Sequence, residues 1–113
     1  MTRYKINIEY DGTNLVGWQK QKNGLSVQEI LEKSLFKLAG ESIAIQGAGR
    51  TDAGVHALNQ VAHFDLNKKI KLDSIRDGLN FYIKNLYKKN KVSILKCKKV
   101  KKNFNARFDA KER

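Results

Sequence analysis

Apolar and polar residues alternate at the start of the chain, and this pattern predicts a β-strand over residues 4–10. Every second position is apolar or aromatic, namely Tyr4, Ile6, Ile8 and Tyr10. A period of two residues is typical of a strand with one face in the core and the other in solvent. We therefore expect the polar side chains at positions 5, 7 and 9 to face solvent.

Two further segments repeat their apolar residues at spacings of three and four, which predicts two helices. The first starts with a capping box at Ser26 and ends at Gly40, and its apolar stripe comprises Val27, Ile30, Leu31, Leu35 and Leu38. The second starts near Asp73 and carries Ile75, Leu79, Ile83 and Leu86 on one side. We expect both stripes to pack into one core.

Shorter apolar runs predict the remaining strands. Ile43 and Ile45 indicate a short strand, and residues 60–66 indicate another. Residues 91–100 indicate a further strand, and its lysines favour a position at the edge of the sheet. Residues 104–108 alternate again and predict the start of another strand. The resulting order predicts a single α+β domain over residues 1–113, with a ferredoxin-like split βαβ (βαββαβ) fold, an antiparallel sheet and two helices on one face.

A glycine-rich loop joins the strand predicted at Ile43 and Ile45 to the strand predicted at residues 60–66. Glycines allow backbone angles and close approaches that side chains forbid, and here they are Gly47, Gly49 and Gly54. The loop presents Arg50, Thr51 and Asp52 at its tip. The motifs of a P-loop and of a dinucleotide-binding turn do not match. From spacing alone, a site for an ionised aspartate and an ordinary turn with an exposed Arg–Asp pair both remain open.

The net charge of +12 lies entirely in the second part of the chain. Residues 1–66 contain seven Lys or Arg and seven Asp or Glu, whereas residues 67–113 contain sixteen and four. Excess positive charge attracts phosphates whatever their sequence, which favours a nucleic-acid partner. A solubilising surface or a lysine-rich composition is the alternative.

The loop before the first helix places Trp18 close in sequence to Lys20 and Lys22. An aromatic ring flanked by cations can stack on a base while the cations hold phosphates. Packing of Trp18 into the core is the alternative interpretation.

Cysteine content and hydropathy limit the class of protein. Cys97 is the single cysteine, so no internal disulfide can form, and Cys97, His56 and His63 do not have the spacing of a metal site. The chain has neither a signal-peptide core nor a run of about 20 apolar residues. We expect a soluble cytoplasmic protein that needs no metal and no membrane.

Several motifs, in the order of one family, resemble the TruA family of tRNA pseudouridine synthases. The clearest is Gly-Arg-Thr-Asp-Ala-Gly-Val-His-Ala at residues 49–57, followed by Gln-Val-Ala-His-Phe at residues 60–64. The others are Glu-Tyr-Asp-Gly-Thr at 9–13, Gly-Trp-Gln at 17–19, Ser-Val-Gln-Glu at 26–29 and Phe-Asn-Ala-Arg-Phe at 104–108. Together the motifs cover nearly the whole chain.

The resemblance implies an enzyme that isomerises uridine to pseudouridine in the anticodon stem-loop of tRNA, without a cofactor. It implies that Asp52 is the attacking nucleophile and that Arg50 is its ion-pair partner. It also implies RNA contacts and supporting roles for residues around the loop. The RNA contacts are Trp18, Gln19, Lys20, Lys22 and Arg107, and the supporting residues are Thr51, His56, His63 and Phe64.

Two features depart from the family pattern. Asn105 stands where histidine is common, although an amide still donates a hydrogen bond. The chain stops at Arg113, where family members continue into a tyrosine-containing strand and a second domain. We therefore expect the N-terminal part of a homodimeric enzyme, inactive without its C-terminal domain.

Three alternatives remain. A non-catalytic basic RNA-binding module of the same topology would carry strand aromatics that are not evident at residues 60–66. A basic structural protein of a ribonucleoprotein would leave the glycine loop without a role. Another pseudouridine synthase family would share the Arg-x-Asp core, but residues 10–12 and 17–19 favour TruA.

Overall fold

Strands and helices alternate along the chain as the apolar periodicities predict. The computed structural model describes residues 1–109, where the elements follow in the order β1 (Thr2–Tyr10), α1 (Val27–Ala39), β2 (Gln46–Gly47), β3 (Ala57–Leu66), α2 (Leu72–Leu86), β4 (Val92–Val100) and α3 (Ala106–Asp109). The first six elements have the predicted βαββαβ order. The α+β fold class is therefore confirmed.

The strands form an antiparallel sheet in the spatial order β2-β3-β1-β4. The alternating segment β1 lies in its interior, with Ile6 opposite Ala62 on β3 and opposite Cys97 on β4. β4 lies at one edge, as its lysines predict. At the end of the sheet where β1 finishes, β3 and β4 both begin.

Helices α1 and α2 cover one face of this sheet. Ser26 caps α1 by accepting the Glu29 N–H at 3.1 Å, and Gly40 ends it in the left-handed conformation with φ 71°. Gly78 lets the two helices approach, because a Cβ there would lie 2.7 Å from Leu38 Cδ1. The apolar stripes of both helices thus share one core with the inward side chains of the strands, except that Leu86, which we expect in the stripe of the second helix, is exposed at the end of α2.

The strand predicted at Ile43 and Ile45 is wrong, because the edge strand is the next two residues, Gln46–Gly47. The backbone of Ile45 is bonded to side chains of α1 instead of a neighbouring strand. Its N–H donates to the Glu32 carboxylate at 2.9 Å, and its carbonyl accepts from Gln28 at 3.0 Å. An apolar pair alone could not reveal these partners.

The strand predicted at residues 104–108 is also wrong, because residues 106–109 form the short helix α3. Asn105 favours the turn, since its side-chain oxygen accepts the Arg107 N–H at 2.9 Å while its own N–H donates to Asp109 at 2.7 Å. The Asn105 side chain therefore caps a helix as an acceptor in this bond, rather than donating as expected.

The sheet face opposite α1 and α2 is partly covered. Asn7 points to this face, yet it is only 2% exposed, so the expectation that it faces solvent is wrong. Its amide donates across the sheet to Asn59 at 2.9 Å. Ala106 and Phe104 pack on the same face with Val61.

None of the helices in residues 1–109 is long and apolar enough to cross a membrane.

Candidate active site

The glycine-rich segment forms a loop between β2 and β3, residues 48–56, which we call the Asp52 loop. Its tip is a tight turn in which the Val55 N–H donates to the Asp52 carbonyl at 3.1 Å. Gly54 has φ 79°, a left-handed conformation that disfavours other residues. The turn presents the exposed Asp52 carboxylate at the end of the sheet where β1 finishes.

The chain between β1 and α1 fastens this loop from the side. The Trp18 N–H donates to the Thr51 carbonyl at 3.2 Å, and the Gly54 N–H donates to the Leu15 carbonyl at 3.2 Å. The Thr51 hydroxyl also shares a 2.8 Å hydrogen bond with the Tyr10 hydroxyl. Thr51 immediately before Asp52 and Gly54 two residues after it are thereby held by main-chain or buried partners.

Two glycines before α1, Gly12 and Gly17, permit this close approach. A Cβ on Gly12 would lie 2.0 Å from the Val55 carbonyl oxygen, and one on Gly17 would lie 2.2 Å from the Thr51 carbonyl oxygen. Gly17 also has φ 110°. The only hint in the sequence is that each of them stands in a motif that precedes the loop.

The glycines inside the loop have different functions. A Cβ on Gly47 would lie 2.5 Å from the Trp18 ring, so this glycine makes room for the indole. A Cβ on Gly49 would meet no atom within 4 Å. Gly54 is required by its backbone angle, as described above. Loop shaping, which we expect of all three, thus has a steric basis at Gly47 and Gly54 only.

His56 closes the loop on its β3 side. Its Nδ1 accepts the Gly12 N–H at 2.8 Å and lies 3.1 Å from an oxygen of the Asp11 carboxylate. An accepting Nδ1 places the proton of the neutral imidazole on Nε2. His56 therefore has a supporting position, four residues from Asp52.

Arg50 and Asp52 are both exposed, and no ion pair joins them in the described part of the chain. The two charges are separate in this conformation, so their pairing stays a prediction. Arg50 instead lines an open cleft of about 630 Å³ beside the loop, which we call the arginine cleft. The cleft is lined by Trp18, Gln19, Gln28, Ile45, Gln46, Gly47, Ala48, Gly49, Arg50, Asn105, Arg107 and Phe108.

The arginine cleft brings together three motifs that are far apart in sequence. Gln19 comes from the segment before α1, Arg50 from the Asp52 loop, and Arg107 from α3. Arg107 is exposed, and its guanidinium lies 5.6 Å from the centre of the Phe108 ring. Two guanidinium groups without a carboxylate among the lining residues make this cleft suitable for a phosphate group.

The remaining predicted RNA contacts lie in different environments. Trp18 is 3% exposed and packs in the core, so the structure favours the core interpretation and leaves its ring no free face for a base. Lys20 pairs with Glu32 at 3.1 Å on the side of α1. Lys22 is fully on the surface, in the turn before α1.

His63 and Phe64 are adjacent on β3 and point to opposite faces of the sheet. Phe64 lies in the core with Tyr4. His63 is 4% exposed, and its Nδ1 accepts the Ala106 N–H at 3.0 Å. Burial, and secondarily the charge of Arg3, lower the pKa of His63, which keeps this acceptor neutral.

An ion pair next to His63 fixes the segment that leads to Arg107. Arg3 binds Asp65 through two hydrogen bonds of 2.8 and 3.0 Å, and it also donates to the Phe104 carbonyl. The Arg3 hydrogen bond is the main reason why the pKa of Asp65 is lowered. Residues 104–106 are therefore held on the sheet at two points, the Phe104 carbonyl and the N–H of Ala106, the first residue of α3. Within residues 1–109, no three His, Cys, Asp or Glu side chains cluster as a metal site requires.

Comparison with known proteins gives a consistent result. The family model described as tRNA pseudouridine synthase matches residues 6–109. The chain is 50% identical over 113 residues to tRNA pseudouridine synthase A of Methylocella silvestris. This alignment covers 100% of this chain and 44% of that protein. It is 48% identical over 110 residues to the protein of the same name from Sinorhizobium fredii, covering 97% of this chain and 44% of that protein. The chain thus spans less than half the length of these relatives.

We expect Gly12→Ala to destabilise the chain, because the added methyl group would collide with the Val55 carbonyl. The free energy of unfolding, measured by urea denaturation, should fall by about 1 to 3 kcal/mol, the usual cost of overpacking. Gly49→Ala is the matched control, since a Cβ there meets nothing within 4 Å, and it should change stability by less than about 0.5 kcal/mol. Equal losses in the two variants would refute the close-approach explanation.

Stability should also depend on pH through His63. Because the pKa of His63 is below 6.5 in the folded state, the unfolded chain binds a proton more readily between the folded value and 6.5. The contribution of His63 to the free energy of unfolding is therefore complete above pH 6.5, and it is lost as the pH falls through this window. The measurement is urea denaturation between about pH 5 and 7.5. His63→Asn, whose amide oxygen can accept the Ala106 N–H but cannot titrate, should show a smaller pH dependence; an unchanged dependence contradicts the assignment.

Proposed function

Because the chain belongs to the tRNA pseudouridine synthase family, we propose that it supplies the Asp52 side of an active site that converts uridine to pseudouridine in tRNA. One observation carries the proposal: Asp52 stands at the tip of a loop held by main-chain hydrogen bonds, beside a cleft with two arginines. The family motif at residues 49–57 and this geometry both support Asp52 as the reactive residue.

The reaction rearranges one bond between ribose and base. The bond from ribose C1′ to uracil N1 breaks, a bond from C1′ to C5 forms, the proton of C5 leaves, and N1 gains a proton. Nothing is oxidised or reduced, and no phosphate bond changes. Asp52 is proposed as the covalent nucleophile, at either the uracil ring or the ribose carbon.

The loop geometry suits a nucleophile that must hold one position. Hydrogen bonds to Thr51 and Gly54 fix the backbone on both sides of Asp52 before any substrate arrives. A carboxylate enclosed with a base loses its water, and a nearby cation then keeps it ionised. Arg50 is two residues away, and we propose that it pairs with Asp52 once RNA covers the loop.

The target uridine must leave its stack to reach Asp52, at a cost of a few kcal/mol. Binding of the surrounding RNA has to offset this cost. Arg107 in the arginine cleft is the proposed phosphate ligand, Gln19 in the same cleft is a further proposed RNA contact, and so is the exposed Lys22. Recognition by shape and phosphate position suits a surface that presents cations rather than base-reading aromatics.

The relatives are more than twice as long as the chain, so the complete active site is part of the proposal. We propose that further residues of the full-length protein cover the open Asp52 loop and complete the cleft, and that the full-length protein is a homodimer that acts on the anticodon stem-loop. A non-catalytic RNA-binding module is the second candidate, favoured by the charge of +12.

Asp52→Ala in the full-length protein should abolish pseudouridine formation, with a fall of at least about 10³-fold in rate because the nucleophile is removed. Binding of tRNA should stay within roughly threefold, since phosphate contacts dominate affinity. Tritium release from tRNA labelled at uridine C5 measures the reaction, and filter binding measures affinity. Asp73→Ala, on an exposed carboxylate of α2, is the control and should change neither. Turnover by the Asp52 variant would disprove the nucleophile, and absence of turnover in the unmodified protein would favour the binding module.

We expect the isolated chain of residues 1–113 to release no tritium from the same tRNA. Asp52 is exposed within the described residues 1–109, where water would reach a base bound at its loop. The full-length protein, assayed at equal concentration, is the positive control. Tritium release by the short chain would place the entire chemistry within these residues.

A further inference from the structure

A turn rich in lysine follows α2, and the proposed mechanism does not yet use it. This lysine turn, residues 87–91, is closed by the Asn90 N–H, which donates to the Tyr87 carbonyl at 3.0 Å. Lys88, Lys89 and Lys91 are all exposed. The turn is therefore a compact structure that projects three ammonium groups into solvent.

The lysine turn is attached to the segment that anchors the Asp52 loop. The Asp11 N–H donates to the Lys91 carbonyl at 2.9 Å, and the next N–H, that of Gly12, donates to His56 Nδ1 of the loop at 2.8 Å. Val92, which follows the turn, pairs with Tyr10. The turn consequently borders the Asp52 loop on its β4 side, whereas the arginine cleft borders it on its β2 side.

The positive charge of the lysine turn exceeds the negative charge beside it. Within the part of the chain that the structure describes, no ion pair involves Lys88, Lys89 or Lys91. Lys84 adds a further exposed cation in the last turn of α2. Hydrogen bonds to Thr13 and, to a smaller extent, the charge of Lys91 lower the pKa of the Asp11 carboxylate, so this one group offsets only part of the charge of the turn. A cluster of this kind produces a local field that attracts a polyanion.

We propose that Lys88, Lys89 and Lys91 bind phosphates of the tRNA strand on the β4 side of the Asp52 loop. The inference rests on the proposed function. A nucleotide that enters the loop has backbone on both sides, and the arginine cleft can hold only the part on the β2 side. With the lysine turn, cations lie on both sides of Asp52, so that the strand is held where it enters and where it leaves.

The chain contains its own matched control for this proposal. Lys68, Lys69 and Lys71 precede α2 with the same Lys-Lys-x-Lys spacing, and all three are exposed. The 15 residues of α2 separate the two clusters by about 22 Å along the helix axis. Lys68, Lys69 and Lys71 lie at the opposite end of the sheet from Asp52. Substituting them therefore removes the same charge as substituting the lysine turn, but far from the proposed path of the RNA.

The experiment compares two triple variants of the full-length protein, K88Q/K89Q/K91Q and K68Q/K69Q/K71Q. The dissociation constant for unmodified tRNA is measured by filter binding between about 50 and 200 mM KCl. For the first variant we expect the slope of log Kd against log salt to become shallower by about two, since each phosphate contact contributes roughly 0.7 to 0.9. For the second variant we expect a slope within about 0.5 of the unmodified protein.

The possible outcomes separate this inference from the proposed function. An unchanged slope for the first variant, or equal changes in the two variants, would overturn the local phosphate site. Circular dichroism and urea denaturation establish that both variants are folded, which the exposed positions lead us to expect. Tritium release by the unmodified protein tests the proposed function independently, so its failure is distinguishable from failure at the lysine turn.

Discussion

The position of Asp52 depends on the contact between two backbone segments, residues 12–18 and the Asp52 loop. Both segments are irregular, and β3 holds the start of the loop, where the Ala48 N–H donates to the Val61 carbonyl and the Gly49 carbonyl accepts from Gln60. They come so close that side chains at Gly12 and Gly17 would overlap the carbonyl oxygens of Val55 and Thr51. The hydrogen bonds of Trp18 and Leu15 to the loop are possible only at this separation. The sheet and helices provide a rigid base, but this contact decides where the carboxylate lies.

The same contact organises the surroundings of the loop. Trp18 enters the core beside Gly47, and the chain continues directly into the capped start of α1. On the other side, the Gly12 N–H donates to His56 and the Asp11 N–H donates to the Lys91 carbonyl, which connects the loop to the residue before β4. The arginine cleft and the lysine turn therefore lie close to the loop in the structure, although some of their residues are distant from it in sequence. This explains how a chain with balanced charge before residue 67 acquires a basic border around Asp52.

The sequence predicts the helices and long strands well because their periodicity reports burial directly. Val27, Ile30 and Leu35 lie in the core as their spacing requires. The errors occur where backbone groups find partners that no periodicity encodes. Ile45 binds Glu32 and Gln28, and Ala106 binds His63, so neither segment needs a strand neighbour. Asn7 is polar in a solvent-facing position of the pattern, yet it is buried, and its side-chain N–H donates to Asn59 on β3.

At the candidate site, resemblance to a family predicts the roles of Asp52 and Arg50, whereas their geometry comes only from the fold. The steric roles of Gly12 and Gly17 depend on a tertiary contact over more than 30 residues, which spacing cannot reveal. Trp18 shows the reverse case, since both of its interpretations agree with the sequence and only its burial distinguishes them.

The fastening of the Asp52 loop has a thermodynamic consequence for any ligand. Ordering one residue of a flexible backbone costs roughly 1 to 2 kcal/mol in conformational entropy. Thr51 and Gly54 are already held by the folded chain, so this entropy is lost during folding and not during association. A ligand that meets the loop finds it ordered, and more of its gross interaction energy remains available for distorting the ligand itself.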